Sequence, residues 1–225
     1  MVVADQTVEK AMVGGAGAQD LSGQQLGRVA KRLLDILGAG ATLVGCSPLF
    51  VAAALAVRLT SPGPILYRWP IVVQGGRGLR SYKFRTMVVN ADALKAELLA
   101  RNEMSGPVFK MTDDPRVTRI GKLLRRTSID ELPQLISVLQ GDLSLVGPRP
   151  PLQSEYALFT PEQRRKLAVK PGLTCLWQVR GRNRIADFDE WLALDLEYIR
   201  DWSLWLDIKI LLCTIPAVLG RGGAS

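Results

Sequence analysis

Two adjacent acids, Asp130 and Glu131 in the stretch RRTSIDELPQL, are the strongest candidates for catalysis in this sequence. Ser128 and Glu131 fit a capping box, which gives the glutamate a purely structural explanation. Pro133 leaves the cap position open, because proline is tolerated best in the first turn of a helix. Either cap places both acids at a helix N-terminus, where free amides, the helix dipole and the preceding arginines favour ionised carboxylates.

An ionised carboxylate that is held in place suits a nucleophile or a metal ligand better than a proton donor. Mg²⁺ commonly takes one or two carboxylates together with substrate phosphates, so the acid pair is a candidate magnesium site facing a diphosphate. Four cations in Gly- or Pro-containing loops suit such a substrate: Lys83, Arg85, Arg149 and Arg182. Each of them taken singly is more often a solvated or structural residue, so the hypothesis depends on their occurring together with the acids.

The composition excludes several other chemistries. The chain has no histidine, so it cannot form a Ser-His nucleophile, a histidine-ligated zinc site or a histidine general base. Its three cysteines, Cys46, Cys175 and Cys213, are too far apart for a metal motif or a disulfide framework, which predicts a reducing, cytoplasmic setting. The formal charge of +8 fits an anionic partner, whether nucleic acid, a phosphate compound or a lipid headgroup layer.

Residues 36–57 form an uncharged apolar run that is long enough to cross a bilayer as a helix. Ser47 and Pro48 lie near its centre, where proline removes a helix hydrogen bond and the serine hydroxyl can satisfy the carbonyl left behind. Basic residues flank both ends of the run: Arg28, Lys31 and Arg32 before it, Arg58 and Arg68 after it. Because basic flanks prefer the cytoplasm, the pattern favours a helix-break-helix hairpin that enters one leaflet, with an ordinary kinked span as the alternative.

The elements together predict an α+β fold that is mainly helical. Three parts are expected along the chain: a disordered leader at 1–27, a re-entrant membrane helix at 28–60 and a cytoplasmic catalytic domain at 61–225. In the third part, IVVQ and RSYKFRTM predict a short β-hairpin around a glycine loop. Amphipathic helical segments suit the membrane interface, and Trp191, Trp202 and Trp205 near the C-terminus suit either that interface or the core.

Six motifs, in order along the chain, resemble those of a known family: KRLLDIL…SPLF, SPGPILYR, YKFRTM, DDPRVTRIGKLLRRTSIDELPQL, GDLSLVGPRP and VKPGLTCLWQVRGRN…LDLEYI. They are similar to the bacterial sugar transferases that act as polyprenyl-phosphate hexose-1-phosphate transferases, over about residues 28–223. The resemblance implies a small monotopic phosphoglycosyl transferase on the cytoplasmic face of the bacterial inner membrane. Such an enzyme would move a sugar 1-phosphate from a UDP-sugar to undecaprenyl phosphate, release UMP and begin an exopolysaccharide or another surface glycan.

The resemblance also implies roles for individual residues. Asp130 would be the nucleophile that forms a covalent phospho-sugar intermediate, and Glu131 would help to position Mg²⁺. The implied phosphate-binding residues are Lys83, Arg125 and Arg149, completed by the loop of Gly181, Arg182 and Asn183. The implied break in the membrane helix lies at Ser47 and Pro48, with Lys31 and Arg32 at the membrane-surface end.

The chain departs from the commoner family pattern between Tyr67 and Lys83, where Ile71 and Val73 replace an arginine and part of a Val-Gly pair. It resembles the compact members, which lack preceding membrane helices. A nucleic-acid binder is an alternative suggested by the charge, but the uncharged run and the lack of a binding motif oppose it. A membrane-attached scaffold of a glycan pathway, without turnover, is a second alternative. The sugar, the glycan pathway and homodimer formation are left open.

Overall fold

The computed structural model describes residues 18–180 and 185–219. Over these ranges the chain is a mainly helical α+β protein, as predicted. The helices are α1 (Ala18–Gly45), α2 (Ser47–Thr60), α3 (Ala91–Leu98), α4 (Arg119–Arg126), α5 (Leu135–Gln140), α6 (Gln153–Tyr156), α7 (Pro161–Arg164), α8 (Leu176–Arg180), α9 (Phe188–Arg200) and α10 (Leu204–Leu219). The strands are β1 (Leu66–Val73), β2 (Arg77–Phe84), β3 (Ser144–Val146) and β4 (Gly172–Thr174), and short 3₁₀ turns occur at Gln74–Gly76, Leu99–Arg101, Ile129–Gln134 and Arg165–Ala168.

The break between α1 and α2 lies where the sequence predicts it. Pro48 has no amide hydrogen, so it cannot donate to the carbonyl of Val44 four residues earlier. The Ser47 hydroxyl donates to that carbonyl instead, at 2.8 Å. Residues Gln25–Gly45 and Ser47–Thr60 consequently meet at a bend of 61°. No single helix in the described ranges is long and apolar enough to cross a membrane, whereas this bent pair passes that test as a unit.

The start of α1 differs from the predicted boundary. The helix begins at Ala18, so residues 18–27, which the Gly-, Ala- and Gln-rich composition assigned to a disordered leader, belong to α1. The composition gave the wrong boundary because short isolated segments that contain glycine are poor helix formers. An adjoining helix supplies the nucleus that helix formation needs, so the segment can continue it. Helix α2 ends at Thr60.

Polar contacts fasten α1 to the rest of the chain. The Arg32 guanidinium donates to the carbonyls of Val138 and Leu139, each at 2.6 Å. Asp35 is buried and accepts a hydrogen bond from the Leu145 amide at 2.8 Å. These contacts satisfy two carbonyls at the end of α5 and one amide of β3. The face of α1 that carries Arg32 and Asp35 therefore packs against the rest of the protein.

Lys31 adds a buried network to the same face. Its ammonium lies 2.6 Å from Asp207 Oδ2 and donates to the Val146 carbonyl at 3.0 Å. The Tyr198 hydroxyl donates to Asp207 Oδ1 at 2.8 Å, and the Trp202 indole donates to Oδ2 at 3.3 Å. Lys31 therefore joins α1 to α10, a role beyond the membrane-surface position that the resemblance implies.

Two small sheets support the remaining elements. Strands β1 and β2 form the predicted antiparallel hairpin, with Tyr67 opposite Lys83 and Trp69 opposite Ser81. The turn between them contains Gly75 at φ 72° and Gly76 at φ 79°, left-handed conformations that favour glycine. Strands β3 and β4 pair in parallel. The principal core lies between these sheets, α1, α5 and the C-terminal helices: Ala39, Trp69, Ile71, Val73, Leu135, Val138, Leu143, Leu145, Val146, Leu176, Tyr198 and Ile210.

Large apolar side chains remain exposed along the bent pair and on α10. On α1 and α2 they are Leu26, Val29, Leu33, Ile36, Leu37, Val44, Leu49, Val51, Leu55 and Leu59, and on α10 they are Trp205, Leu212 and Ile215. A surface this rich in exposed apolar groups is typical of an interaction site or a lipid contact. Among the tryptophans near the C-terminus, Trp191 is buried in a core cluster whereas Trp205 is exposed.

Candidate active site

The acid pair lies in a tight turn rather than at the start of an α-helix. Residues Ile129–Gln134 are 3₁₀-helical, and α5 begins only at Leu135. Pro133 accounts for this delay, since it cannot donate a hydrogen bond within the first turns. Ser128 adopts a left-handed conformation, φ 54°, and its side chain forms no N-cap hydrogen bond, so the capping box predicted from the sequence is wrong. Gly141, at φ 87°, ends α5 as predicted.

Asp130 is the buried member of the pair, with 7% of its surface exposed. Burial, and next the charge of Glu131, raise its pKa to about 7, while the charges of Lys83 and Arg125 act in the opposite direction. The sequence predicts an ionised carboxylate here, favoured by free amides, the helix dipole and the preceding arginines. Burial reverses this expectation, because desolvation disfavours the charged form of a carboxyl group.

Lys83 projects from β2 over the turn that carries the acids. Its ammonium donates to Glu131 Oε1 at 2.7 Å, and both side chains are largely buried. The same ammonium lies 3.7 Å from the centroid of the Trp69 ring. Lys83 therefore contacts the acid pair through Glu131, and its binding of phosphate stays a prediction.

Arg125, at the end of α4, is the second cation whose charge acts on Asp130. Its Nε donates to Thr86 Oγ1 at 2.9 Å. Burial lowers the pKa of this guanidinium, and the charge of Asp130 partly opposes that effect. The Thr86 carbonyl in turn accepts the Thr118 amide at 2.9 Å, so the end of β2 and the start of α4 are joined beside the site.

Arg149 lies in the loop after β3, with its guanidinium 5.4 Å from the centroid of the Trp191 ring. Lys166 also lies near this ring, with its Nζ 5.2 Å from the centroid, and forms a buried ion pair with Asp195 Oδ2 at 2.5 Å. Burial raises the pKa of Asp195, and this effect exceeds the lowering by the charges of Lys166 and Arg149. Arg149 also acts on the charge of Lys110. Burial lowers the pKa of the Lys110 ammonium, the charge of Glu103 raises that pKa, and the charge of Arg149 lowers it.

Arg85 lies in a different environment from the one predicted. It is buried, and its Nη2 donates to the Ser61 carbonyl at 2.9 Å and to the Ser61 hydroxyl at 2.8 Å. Its Nη1 donates to the Pro62 carbonyl. These contacts assign the Arg85 guanidinium to the turn after α2, and we leave it out of the phosphate-binding set. The predicted loop of Gly181, Arg182 and Asn183 lies outside the described residues.

The donor set at the acid pair fits Mg²⁺, as judged from the chemistry of the two side chains. Asp130 and Glu131 are adjacent, and the charge of one raises the pKa of the other, a repulsion that a divalent cation would relieve. Two carboxylates are the usual protein contribution to a Mg²⁺ site that also takes phosphate oxygens and water. Within the ranges that the structure describes, no group of three or more Asp, Glu or Cys side chains forms a larger metal site.

Several supporting residues were missed by sequence reasoning. Trp69 lies under Lys83, Thr86 holds Arg125, and Trp191 lies against Arg149. Thr86 stands inside the YKFRTM motif, which the sequence already connects with the site. Trp69 follows Tyr67 by two residues in a strand, which places it on the same face as Lys83 once the register is known. Nothing local in the sequence indicates the contact of Trp191.

The buried Asp130 carboxyl lies beside Glu131 and within range of the charges of Lys83 and Arg125, an arrangement that suits the binding of phosphate groups. Residues 26–221 match the family model described as bacterial sugar transferase. The chain belongs to this family.

Curated relatives carry names consistent with that membership. The chain is 50% identical over 197 residues to galactosyl transferase CpsE of Streptococcus agalactiae, covering 88% of this chain and 44% of the relative. It is 41% identical over 213 residues to UDP-glucose:undecaprenyl-phosphate glucose-1-phosphate transferase of Caulobacter vibrioides, covering 90% and 76%. It is 39% identical over 202 residues to exopolysaccharide production protein ExoY of Sinorhizobium fredii, covering 88% and 89%. The chain thus spans less than half the length of CpsE and most of the length of ExoY.

Proposed function

We propose that this protein is a membrane-bound phosphoglycosyl transferase that moves a sugar 1-phosphate from a UDP-sugar to undecaprenyl phosphate. The products are undecaprenyl-diphosphate sugar and UMP, and the reaction begins an exopolysaccharide or another surface glycan. The observation that carries the proposal is the burial of Asp130 beside Glu131, within range of the charges of Lys83 and Arg125. The names of relatives that act on UDP-glucose and undecaprenyl phosphate support the choice of substrates.

The chemistry consists of two displacements at one phosphorus atom. An Oδ atom of Asp130 attacks the β-phosphorus of the UDP-sugar, the bond from that phosphorus to the bridging oxygen breaks, and UMP leaves with the electron pair. A phosphate oxygen of the lipid then attacks the same phosphorus and releases the Asp130 carboxylate. Splitting the transfer through a covalent intermediate lets nucleotide sugar and lipid phosphate use one site in turn.

The cations have a defined part in both displacements. Lys83 and Arg125 supply positive charge beside Asp130, where negative charge builds up on the transferred phosphoryl group, and Arg149 extends the cationic surface. When bound, Mg²⁺ would neutralise charge on the diphosphate, and Asp130 and Glu131 are the residues that would hold it. Before substrate enters, Lys83 holds the Glu131 carboxylate through its 2.7 Å contact.

The membrane geometry belongs to the same proposal. We assign the bent pair α1–α2 to one leaflet of the inner membrane, with the catalytic part on the cytoplasmic face. The 61° bend, the exposed apolar side chains on both helices and the polar contacts of one face of α1 support a re-entrant hairpin over a span. Embedding of this kind brings the lipid phosphate to the site at headgroup height, because the acceptor diffuses within the leaflet.

The reaction is tested by measuring UMP release from a panel of UDP-sugars with undecaprenyl phosphate and Mg²⁺. We expect release with one or a few donors, and loss of release in Asp130→Asn. Asp113→Asn is a matched control, because Asp113 is exposed and lies in the same part of the chain. Incubation with a UDP-sugar alone should add the mass of a sugar phosphate to the peptide that contains Asp130. Folded protein without release from any donor would instead support a scaffold role.

The membrane geometry has its own test. Single cysteines at Gln25 and Glu97, placed in a variant without the three native cysteines, are labelled in right-side-out and inverted vesicles with an impermeant reagent. A re-entrant hairpin leaves both positions accessible from the cytoplasmic side. Labelling from opposite sides would show a span and contradict the hairpin.

A further inference from the structure

The strand segment in which the chain departs from the commoner family pattern contains an aromatic residue that touches the site. Trp69 lies on β1, and its diagonal neighbour across the antiparallel ladder is Lys83. Diagonal neighbours on one face are within reach when the side chains are long or aromatic. The Lys83 ammonium lies 3.7 Å from the centroid of the Trp69 ring, well inside the range of a cation–π contact.

The contact is desolvated on both sides. Trp69 is 8% exposed and the Lys83 side chain 14%. Cation–π attraction is strongest in such a setting, because water does not compete for the ammonium. The ammonium has three N–H donors, so contact with one ring face still leaves donors for oxygen acceptors.

The second partner of Lys83 is Glu131, and a substrate phosphate could replace that carboxylate as the hydrogen-bond acceptor. A phosphate group entering the site competes with the Glu131 carboxylate for the ammonium, and a lysine stem has four flexible carbons on which the charge could move away. The Trp69 face is not displaced by an anion, since it attracts only the cation. It therefore keeps the Lys83 charge in place while the hydrogen-bonded partner changes.

We propose that Trp69 is a positioning residue of the active site, whose indole face holds the Lys83 ammonium for an incoming phosphate group. The inference rests on the proposed function, in which Lys83 binds phosphate. Trp69 acts only through Lys83 and has no direct contact with the reacting atoms in this assignment.

The test measures binding of UMP, the proposed product, to the full chain in detergent by calorimetry. We expect Trp69→Leu to weaken UMP binding about fivefold and Trp69→Phe to weaken it less, because phenylalanine keeps a smaller ring face. In a Lys83→Met background, Trp69→Leu should have no further effect. Trp205→Phe is the control, because it alters an exposed indole that lies beside Lys209 on α10. Thermal unfolding of each variant reports whether it is folded.

A second measurement separates ring electrostatics from packing. Incorporation of fluorinated tryptophan weakens the negative ring face with little change of shape, so it should lower kcat/KM for UMP release. The same incorporation in Trp69→Phe reports the contribution of the other tryptophans, and only the difference belongs to Trp69. An equal effect in both proteins would overturn the inference.

The outcomes distinguish this inference from the proposed function. UMP binding that requires Lys83 but not Trp69 would overturn only the role of Trp69. Weakening of UMP binding by Trp69→Leu to the same extent with and without Lys83 would also overturn that role alone. No UMP binding and no UMP release by the folded wild-type protein would overturn the proposed function, and this inference with it.

Discussion

Replacement of Lys31 by methionine tests how the bent helix pair is fastened to the catalytic part. The Lys31 ammonium lies 2.6 Å from Asp207 Oδ2 and 3.0 Å from the Val146 carbonyl, and the Asp207 side chain is fully buried. Lys31→Met keeps most of the side-chain volume but removes the charge. Asp207 would keep hydrogen bonds from Tyr198 and Trp202 while losing its cation.

The expected loss follows from the burial of that carboxylate. Removing one partner of a buried ion pair typically costs about 3–5 kcal/mol, and we expect the lower end, about 3 kcal/mol, because the Lys31 side chain is 19% exposed. For a chain of this size that change lowers Tm by about 6–12 °C. In the double variant Lys31→Met/Asp207→Leu, part of the loss should be recovered, because no charge stays buried and the Tyr198 hydroxyl retains the Val146 carbonyl as an acceptor at 3.1 Å.

The assay is thermal unfolding of the purified full chain in one detergent, followed by circular dichroism. Arg165→Met is the matched control, because Arg165 pairs with Glu162 while more than half of each side chain is exposed. Exposed pairs of this kind contribute little, so its Tm should match the wild type. A Lys31→Met protein that melts with the control would refute the reasoning, since the buried carboxylate would then not depend on its cation.

Three further predictions concern the break, the site and the core. Pro48→Ala restores an amide donor at the bend and should straighten the pair, so that cysteine labels at Gln25 and Glu97 become accessible from opposite sides; unchanged labelling would show that the bend does not depend on proline. Thr86→Val removes the acceptor of Arg125 and should lower kcat/KM about tenfold, whereas Thr86→Ser should retain activity; equal rates in both would contradict this role. Burial raises the pKa of the Cys175 thiol, so at pH 8 iodoacetamide should modify exposed Cys213 and spare Cys175 until the chain is unfolded; equal rates of modification in the folded protein would contradict it.

Much of the fold could be predicted, because its signals are local. The glycine turn between two β-type segments predicted the β1–β2 hairpin, and Ser47-Pro48 within an uncharged run predicted the bend. Residues 18–27 were assigned wrongly, because composition describes an isolated segment and not one that continues an existing helix. The parallel pairing of β3 with β4 joins residues far apart in sequence and has no local signal.

The candidate site was predicted in part for the same reason. Lys83 and Arg125 stand in recognisable motifs, and the structure brings both to the acid pair. Arg85 stands in the same motif as Lys83 but follows the end of β2, and its guanidinium donates to the Ser61 carbonyl in the turn after α2. Sequence spacing alone does not say which of two nearby cations has a backbone carbonyl within reach.

The sequence alone established the residue types of this protein: an adjacent acid pair, several lysines and arginines in recognisable motifs, no histidine and one long uncharged run interrupted by a proline. These properties limit the chemistry, because a side chain keeps its functional group in every fold. Burial depends on the folded chain, and it sets the direction in which the pKa of Asp130 shifts. The folded chain likewise sets the contact of Glu131 with Lys83 and that of Trp69 with Lys83. Desolvation and cross-strand contacts depend on neighbours distant in sequence, so they arise only when the chain has folded.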